Sequence, residues 1–288
     1  MINSISSASE YRPKSFNDMI GQDAIVKTLN NAIKNDNIPQ ALLFCGPRGV
    51  GKTSCARILA KTINNLEDDF EYNIFELDAA SNNSVEDIRN ITDQIRIPPQ
   101  TGRYKVYIID EVHMLSNQAF NAFLKSLEEP PEHVVFILAT TEKNKILPTI
   151  LSRCQIYDFK KVDNESIIKL LSKICKEKKV KYEDGSLSLI AERSDGSIRD
   201  SLSIFDRLVS FTDSNLTISE VTSNLNVLDF NTYFKISELI TKKDIPGILN
   251  LYNEVYIKGF DDLNFLNGLS KHLSCLLYTS PSPRDPWK

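Results

Sequence analysis

The chain has 288 residues, of which 41% are hydrophobic and 25% are charged, which is the composition of an ordinary globular protein. This length predicts two or three compact domains rather than one small domain. The net charge of −4 excludes binding to nucleic acid through overall positive charge, so any DNA contact must be local or made by an assembly.

The sequence predicts neither membrane insertion nor export. No apolar run approaches the roughly 20 residues that a membrane helix needs. Residues 1–10 are polar and Ser-rich, without the basic flank and apolar stretch of an export signal. The five cysteines contain no CxxC pair, which argues against a disulfide framework and a zinc site. We therefore expect a protein of the reducing cytoplasm.

The first 160 residues alternate between strand and helix patterns. Short apolar runs predict buried strands at 41–45, 73–78, 105–110, 134–140 and 155–159. Amphipathic patterns predict helices at 23–34, 53–63, 84–95 and 116–128. Buried strands separated by helices predict an α/β fold with a parallel five-stranded sheet.

From about residue 161 the strand pattern ends. Helices are predicted at 165–178, 185–193 and 197–210, and a further helical region is predicted from 218 to about 274. The predicted domains are 1–160, 161–214 and 215–274. Residues 275–288 break the helical pattern and resemble a translated sequencing adaptor, so we predict a non-native, non-helical tail in place of a longer natural chain.

Residues 46–53, GPRGVGKT, match the phosphate-binding pattern GxxxxGK[ST] at every fixed position, between a predicted strand and a predicted helix. Glycines let backbone N–H groups approach phosphates, and the helix N-terminus adds partial positive charge. Lys52 would pair with the β- and γ-phosphates, and Thr53 would ligate Mg²⁺. The alternative is a Gly-rich turn that binds nothing. The predicted phosphate-binding residues are Gly46, Gly49, Val50, Gly51, Lys52, Thr53 and Ser54.

Two acids, Asp110 and Glu111, follow the apolar strand at 105–110. Ligands of open α/β sheets bind at the carboxyl ends of the strands, so Asp110 would hold Mg²⁺ and Glu111 would polarise the attacking water. The alternative is that this acidic pair is the start of a solvated loop. The phosphate-binding loop at 46–53 (the P-loop), which is predicted in the same sheet, favours the catalytic interpretation.

Three further residues are candidates on weaker grounds. Thr141 follows the strand at 134–140 and could orient the lytic water. Arg153 lies at a predicted helix end, and Arg199 lies in the first turn of a predicted helix, a position that favours anions. Either arginine could instead be a surface residue paired with a carboxylate. The widely separated histidines have no ligand spacing and are assigned no catalytic or metal role: His113, His133 and His272.

Six motifs occur in a fixed order and together indicate a family. They are Tyr11-Arg12-Pro13, Ile20-Gly21-Gln22, the P-loop, DEVHML at 110–115, LEEPP at 127–131 and SRC at 152–154. Over about residues 10–274 the chain closely resembles the gamma/tau ATPase subunits of the bacterial replicative clamp loader, a part of the DNA polymerase III holoenzyme. This resemblance implies an AAA+ P-loop NTPase fold with a helical lid and the start of an all-α collar.

The resemblance also implies ligands and roles. ATP and Mg²⁺ would be bound, with Tyr11, Arg12 and Ile20 near the adenine. Thr141 would be the first sensor and Arg199 the second, and Arg153 would be a finger that reaches a neighbouring subunit's ATP. The implied activity is ATP hydrolysis that loads a sliding clamp onto primer–template DNA, within a heteropentamer with delta- and delta-prime-type subunits. The chain would not itself be the polymerising subunit.

The sequence departs from the family at one informative place. Family members commonly carry a four-cysteine zinc module after the P-loop helix, whereas residues 63–70 form a short acidic link without cysteine, so we predict no zinc.

Two alternative functions remain. A non-hydrolysing scaffold such as a delta-prime subunit is disfavoured by the intact P-loop. Another AAA+ DNA-processing motor, such as a Holliday-junction helicase, is disfavoured by the LEEPP and SRC motifs.

Overall fold

The computed structural model describes residues 6–65, 73–82, 85–99, 102–225, 230–257 and 262–279. Its seven strands are β1 Ala41–Cys45, β2 Ile74–Asp78, β3 Lys105–Asp110, β4 Val134–Thr140, β5 Gln155–Asp158, β6 Lys181–Tyr182 and β7 Asn215–Leu216. The helices before residue 160 are α1 Ser7–Glu10, α2 Asp23–Lys34, α3 Lys52–Asn64, α4 Val85–Ile95, α5 Asn117–Glu128 and α6 Pro148–Leu151. The helices after it are α7 Asn164–Lys178, α8 Asp184–Arg193, α9 Ile198–Phe211, α10 Ile218–Asn224, α11 Phe230–Lys242, α12 Ile245–Ile257 and α13 Asp262–Thr279.

The first five strands form one parallel sheet in the order β2-β3-β4-β1-β5, which confirms the predicted fold class. Successive side chains of a strand point to opposite faces. Leu42 and Phe44 of β1 accordingly pack in the core shared with α3, whereas Leu43 and Cys45 pack in the core shared with α5. Burial on both faces explains why these strands are continuous apolar runs rather than alternating patterns.

Parallel strands bring their carboxyl ends to the same edge of the sheet, where ligands of such sheets bind. The loop after β1 carries the glycine-rich motif, β3 ends at Asp110, and β4 ends at Thr140. Because β4 lies between β3 and β1, residues far apart in the sequence meet at this edge. The start of α5 is fixed there by the Ser116 hydroxyl, which accepts a hydrogen bond from the Ala119 amide at 3.2 Å.

The described residues cluster into two compact units, one within residues 1–179 and 190–207 and the other within 180–189 and 208–288. The predicted domain boundaries at 160 and 214 stay a prediction. In the second unit, Ile236, Val255 and Phe265 form the core among α11, α12 and α13. No described helix is long and apolar enough to cross a membrane.

Two expectations for the C-terminal half are wrong. The strand pattern does not end at 161, because β6 and β7 pair in parallel; each has only two residues, too few to produce an alternating pattern. Residues 275–279 are helical, since α13 continues to Thr279. Leucine is a strong helix former, and the first proline after α13 is Pro281, so nothing in the sequence ends the helix earlier. Residues 280–288 of the predicted tail lie outside the described part of the chain.

Candidate functional site

The glycine-rich loop between β1 and α3 is shaped by close approaches that only glycine permits. Gly49 has φ +74°, and a Cβ there would lie 2.1 Å from Ser197 Oγ. The Gly49 carbonyl accepts hydrogen bonds from the backbone amides of Ile198 at 3.0 Å and Arg199 at 3.4 Å. Gly46, at φ +147°, approaches the Phe159 carbonyl in the same way. The start of α9 and the residues after β5 therefore fix the loop.

Lys52 and Thr53 begin α3 and point into this loop. Lys52 is only 6% exposed, and its Nζ donates to the Gly46 and Pro47 carbonyls, at 2.7 Å each. Burial lowers the pKa of Lys52, an effect that the carboxylates of Glu111 and Asp110 oppose. The ammonium group donates hydrogen bonds to neutral backbone carbonyls. A negatively charged phosphate oxygen would form a stronger hydrogen bond with it than these carbonyls do.

Asp110 joins the loop to the end of β3. The Thr53 hydroxyl donates to Asp110 Oδ2 at 2.6 Å, and the Glu111 amide donates to Asp110 Oδ1 at 2.9 Å. A hydroxyl and a carboxylate are hard oxygen ligands of the kind that Mg²⁺ prefers. The residues present therefore fit the predicted magnesium site.

Glu111 has a left-handed backbone, with φ +48°, which is strained for a residue with a Cβ. The Thr141 hydroxyl donates to Glu111 Oε2 at 2.9 Å, and the Thr141 amide donates to the same atom at 3.3 Å. The structure thus brings the candidate Thr141 to the candidate Glu111. His113, which sequence reasoning left without a role, also lies beside Glu111 Oε2, at 3.4 Å.

A cleft of about 640 Å³ opens beside these residues. Most of the predicted site residues line it: Tyr11, Arg12, Ile20, Gly49, Val50, Gly51, Lys52, Thr53, Ser54, Asp110, Glu111 and Arg199. Gly46, Thr141 and Arg153 are not among its lining residues. Sequence reasoning missed several polar residues that do line it: Lys14, Asn17, Asp18, Arg48, Ser166, Lys169 and Lys173. The spacing of Ser166, Lys169 and Lys173 along α7, three and then four residues, was the one signal that they share a helix face.

Positive charge gathers in the cleft. Burial lowers the pKa of Arg12, and the neighbouring guanidinium groups of Arg57 and Arg199 lower it further. Among the described residues, no carboxylate oxygen lies within 4 Å of the Arg12 or Arg199 guanidinium. Arg57 is paired with Glu76, and the Glu76 carboxylate opposes the lowering of the Arg12 pKa. Guanidinium groups that lie close together nevertheless favour the binding of an anion.

The segment before Tyr11 is held to α7 and α9. The Ser7 amide donates to Asp206 Oδ2 at 2.7 Å, and the Ser7 hydroxyl makes a short hydrogen bond to the same carboxylate. Lys178 pairs with Glu10 at 2.8 Å and lies over the Tyr11 ring. Burial, and then a hydrogen bond to Glu177, raises the pKa of Tyr11 to about 12. These contacts position Tyr11 and Arg12 in the lining of the cleft.

Arg153 lies elsewhere, after α6. Its side chain is 36% exposed; Nη2 donates to Glu128 Oε1 at 2.9 Å, and Nη1 donates to the Thr149 carbonyl at 2.8 Å. This is the surface arginine paired with a carboxylate that sequence reasoning kept as an alternative. Its expected contact with a neighbouring subunit stays a prediction.

The described part of the chain contains no cluster of residues that could form a further metal site. No group of three or more His, Cys, Asp or Glu residues there could hold a metal ion. The acidic link at 63–70 lies largely outside the described residues, so the absence of zinc stays a prediction. Burial raises the pKa of Cys45 to about 11 and that of Cys55 to about 12, as expected for small core residues beside the loop.

Comparison with known proteins finds two family matches. Residues 21–74 and 71–163 match the family described as DNA polymerase III, delta subunit. Residues 166–214 match the ATPase lid domain of the DNA polymerase III clamp loader subunit. The second match covers most of α7 and all of α8 and α9.

Curated relatives agree with these matches. The chain is 39% identical over 290 residues to the DNA polymerase III subunit tau of Bacillus subtilis, covering 95% of this chain and 52% of that protein. It is 38% identical over 286 residues to the subunit gamma of Buchnera aphidicola subsp. Baizongia pistaciae, covering 93% and 76%. The chain spans about half the length of the tau and gamma/tau proteins that it matches.

Solved structures share the fold. The RuvB Holliday junction branch migration motor of Thermotoga maritima superposes with a TM-score of 0.60, at 22% identity, over 80% of this chain and 79% of that one. Identity this low shows that the architecture is shared, and nothing about the reaction. Together with the match to the clamp loader ATPase lid domain, this shared architecture agrees with the P-loop NTPase fold that the resemblance implied.

Proposed function

Because the chain belongs to the gamma/tau family of DNA polymerase III subunits, we propose that it binds and hydrolyses ATP to help load a sliding clamp onto primer–template DNA. The observation that carries the proposal is the meeting of Lys52, Thr53, Asp110 and Glu111 at one cleft. A lysine, a hydroxyl and two acids in a P-loop fold are the groups that nucleotide hydrolysis requires.

Binding would begin with the phosphates. Lys52 would exchange its carbonyl partners for β- and γ-phosphate oxygens, while the amides of residues 46–53 would surround them. Thr53 and Asp110 would hold Mg²⁺, which would supply positive charge to offset the charge that develops on the phosphates. Arg199 would contact the phosphates from the lid, as its place in the cleft lining close to Arg12 supports.

Hydrolysis would depend on Glu111 and Thr141. Glu111 would polarise the water that attacks the γ-phosphate, and Thr141 would orient Glu111 through the hydrogen bonds to Oε2. Tyr11, Arg12 and Ile20, in the lining of the cleft, would contact the adenosine part of ATP. In this proposal the attacking water is positioned by the carboxylate of Glu111, which hydrogen bonds within the same chain hold in place.

Arg153 would complete the site of a neighbouring subunit. An arginine supplied in trans stabilises the charge of the transition state and accelerates hydrolysis by about 10³–10⁵. To act in this way, Arg153 would leave Glu128 and reach a phosphate of the adjacent chain. Hydrolysis would then require assembly.

Assembly with other clamp-loader subunits has separate support in the second unit. Its helices expose large apolar side chains: Ile245, Leu249, Tyr256, Ile257, Leu263 and Leu266 are each 58–75% exposed. Exposed apolar groups on this scale mark interaction surfaces. We propose that they contact the delta- and delta-prime-type subunits, and that the assembled ring holds the sliding clamp and DNA.

The proposal is tested in two stages. Isothermal titration of the chain with ATP should give one binding site whose affinity falls when Mg²⁺ is chelated. Mixing the chain with its partner subunits, the clamp and primer–template DNA should then stimulate phosphate release. Absence of ATP binding would overturn the nucleotide site, and binding without any stimulated release would point to a non-hydrolysing scaffold.

A further inference from the structure

We propose that His113 is a positioning residue that fixes the carboxylate of Glu111 for attack, an inference that rests on the function proposed above. His113 lies three residues after Asp110 in the sequence and beside the end of β4 in the fold. His113 is not among the residues that line the cleft, so its effect would pass through Glu111.

The imidazole is enclosed and contacts three neighbours. Its side chain is only 6% exposed. Nδ1 lies 3.0 Å from Thr140 Oγ1 and 3.4 Å from Glu111 Oε2, while Nε2 lies 3.4 Å from Glu142 Oε1. A ring held by polar contacts on both nitrogens has a defined orientation rather than a choice of rotamers.

The two nitrogens have different surroundings. The Thr140 hydroxyl oxygen already accepts a hydrogen bond from the Glu142 amide at 3.0 Å, which fixes the threonine beside Nδ1. Glu142 is an exposed residue that also pairs with Lys145 at 2.9 Å. The Nε2 side therefore anchors the ring at the surface, and the Nδ1 side faces the carboxylate in the site.

Three groups converge on one oxygen of Glu111. The Thr141 hydroxyl, the Thr141 amide and His113 Nδ1 all approach Oε2. With Oε2 restrained from two sides, Oε1 is the oxygen that can polarise water. An imidazole with Nδ1 protonated also places positive polarity beside Oε2, which opposes rotation of the carboxylate back toward bulk water.

Two amide variants separate the two nitrogens. In H113N the amide nitrogen can occupy the place of Nδ1, and in H113Q it can reach the place of Nε2. In the assembled loader with clamp and DNA, H113N should retain kcat to within about threefold, whereas H113Q should lose kcat on the order of tenfold. The Kd for ATP of the chain should stay unchanged in both variants. E142Q, which alters the Nε2 side alone, is the matched control and should keep kcat.

The outcomes are distinguishable. Equal kcat for H113N and H113Q would overturn the proposal, whether both are normal or both are impaired, because a steric role does not depend on which nitrogen is mimicked. Wild-type protein that neither binds nor hydrolyses ATP would instead overturn the proposed function.

A second measurement requires no substitution at His113. The imidazole ¹⁵N resonances of His113 in the chain should shift at Nδ1 more than at Nε2 when Glu111→Gln removes the carboxylate charge. Unchanged Nδ1 and Nε2 resonances would overturn the contact itself. Because the chain has only three histidines, these resonances can be assigned readily.

Discussion

The cleft and the surface around Arg153 are built in opposite ways. In the cleft, Lys52 is nearly buried, and Thr53, Asp110 and Glu111 are tied together by hydrogen bonds within the chain. Arg153 is exposed, and its carboxylate partner, Glu128, is 50% exposed. The contrast indicates that nucleotide binding can be complete in one chain, whereas a role for Arg153 in hydrolysis needs a second surface.

The largest expected effect separates the two arginines. Arg153→Ala should lower clamp- and DNA-stimulated turnover by about 10³, because the transition state loses a cation supplied in trans. It should leave the Kd for ATP of the isolated chain within about twofold. Arg199→Ala should instead raise that Kd by about tenfold, since Arg199 lines the cleft. Titration calorimetry and phosphate release measure the two quantities.

If Arg153→Ala weakened ATP binding in the isolated chain as much as Arg199→Ala did, the contrast between the two regions would be wrong. Undiminished stimulated turnover in Arg153→Ala would remove the finger role and leave Arg153 as a surface ion pair.

Lys52→Ala tests the cleft alone. Loss of a nearly buried ammonium that pairs with phosphate should raise the Kd for ATP by about 100-fold. Lys61→Ala is the matched control, because Lys61 lies on the same helix but does not line the cleft. Calorimetry that finds the same affinity for Lys52→Ala and wild type would contradict the phosphate site.

The smallest effect concerns the contact between the loop and α9. Gly49→Ala forces a Cβ toward Ser197 Oγ at a backbone conformation that disfavours it, and should lower the free energy of unfolding by about 1–3 kcal/mol. Chemical denaturation measures this change. Ser197→Ala, which removes the hydroxyl that accepts a hydrogen bond from the Asp200 amide, should cost about 1 kcal/mol through loss of this cap. A Gly49→Ala variant as stable as the wild type would show that the glycine is not required.

The central sheet and the phosphate-binding and acidic part of the cleft could be predicted because their signals are local. Fixed spacing defines residues 46–53, and an apolar strand followed by acids defines Asp110 and Glu111. The predicted strands and helices in the first 160 residues differ from the observed bounds by about one residue, since each element is a short run closed by polar or glycine residues. No bounds were predicted for the four-residue helices α1 and α6, because one turn carries no helical periodicity.

The contacts of His113 could not be predicted, because they depend on the sheet order that places β4 beside β3. Before that order is known, the sequence separation of His113 from Thr140 and Glu142 gives no hint of proximity. The strands β6 and β7 are missed for another reason: two residues carry no periodicity. The helix beyond residue 274 is missed because the resemblance of residues 275–288 to a translated adaptor carries no information on whether these residues are helical.

The ion pair of Arg153 with Glu128 has a consequence for preorganisation. An ion pair this exposed contributes only about 0–1 kcal/mol to stability. Arg153 would therefore lose little stabilisation on exchanging the Glu128 carboxylate for a phosphate of a neighbouring chain. A free arginine side chain has rotamer entropy worth about 2 kcal/mol, and the contacts with Glu128 and the Thr149 carbonyl remove part of it in advance. Arg153 would thus be held in a restricted set of conformations, at small cost, on a surface that a neighbouring chain could contact.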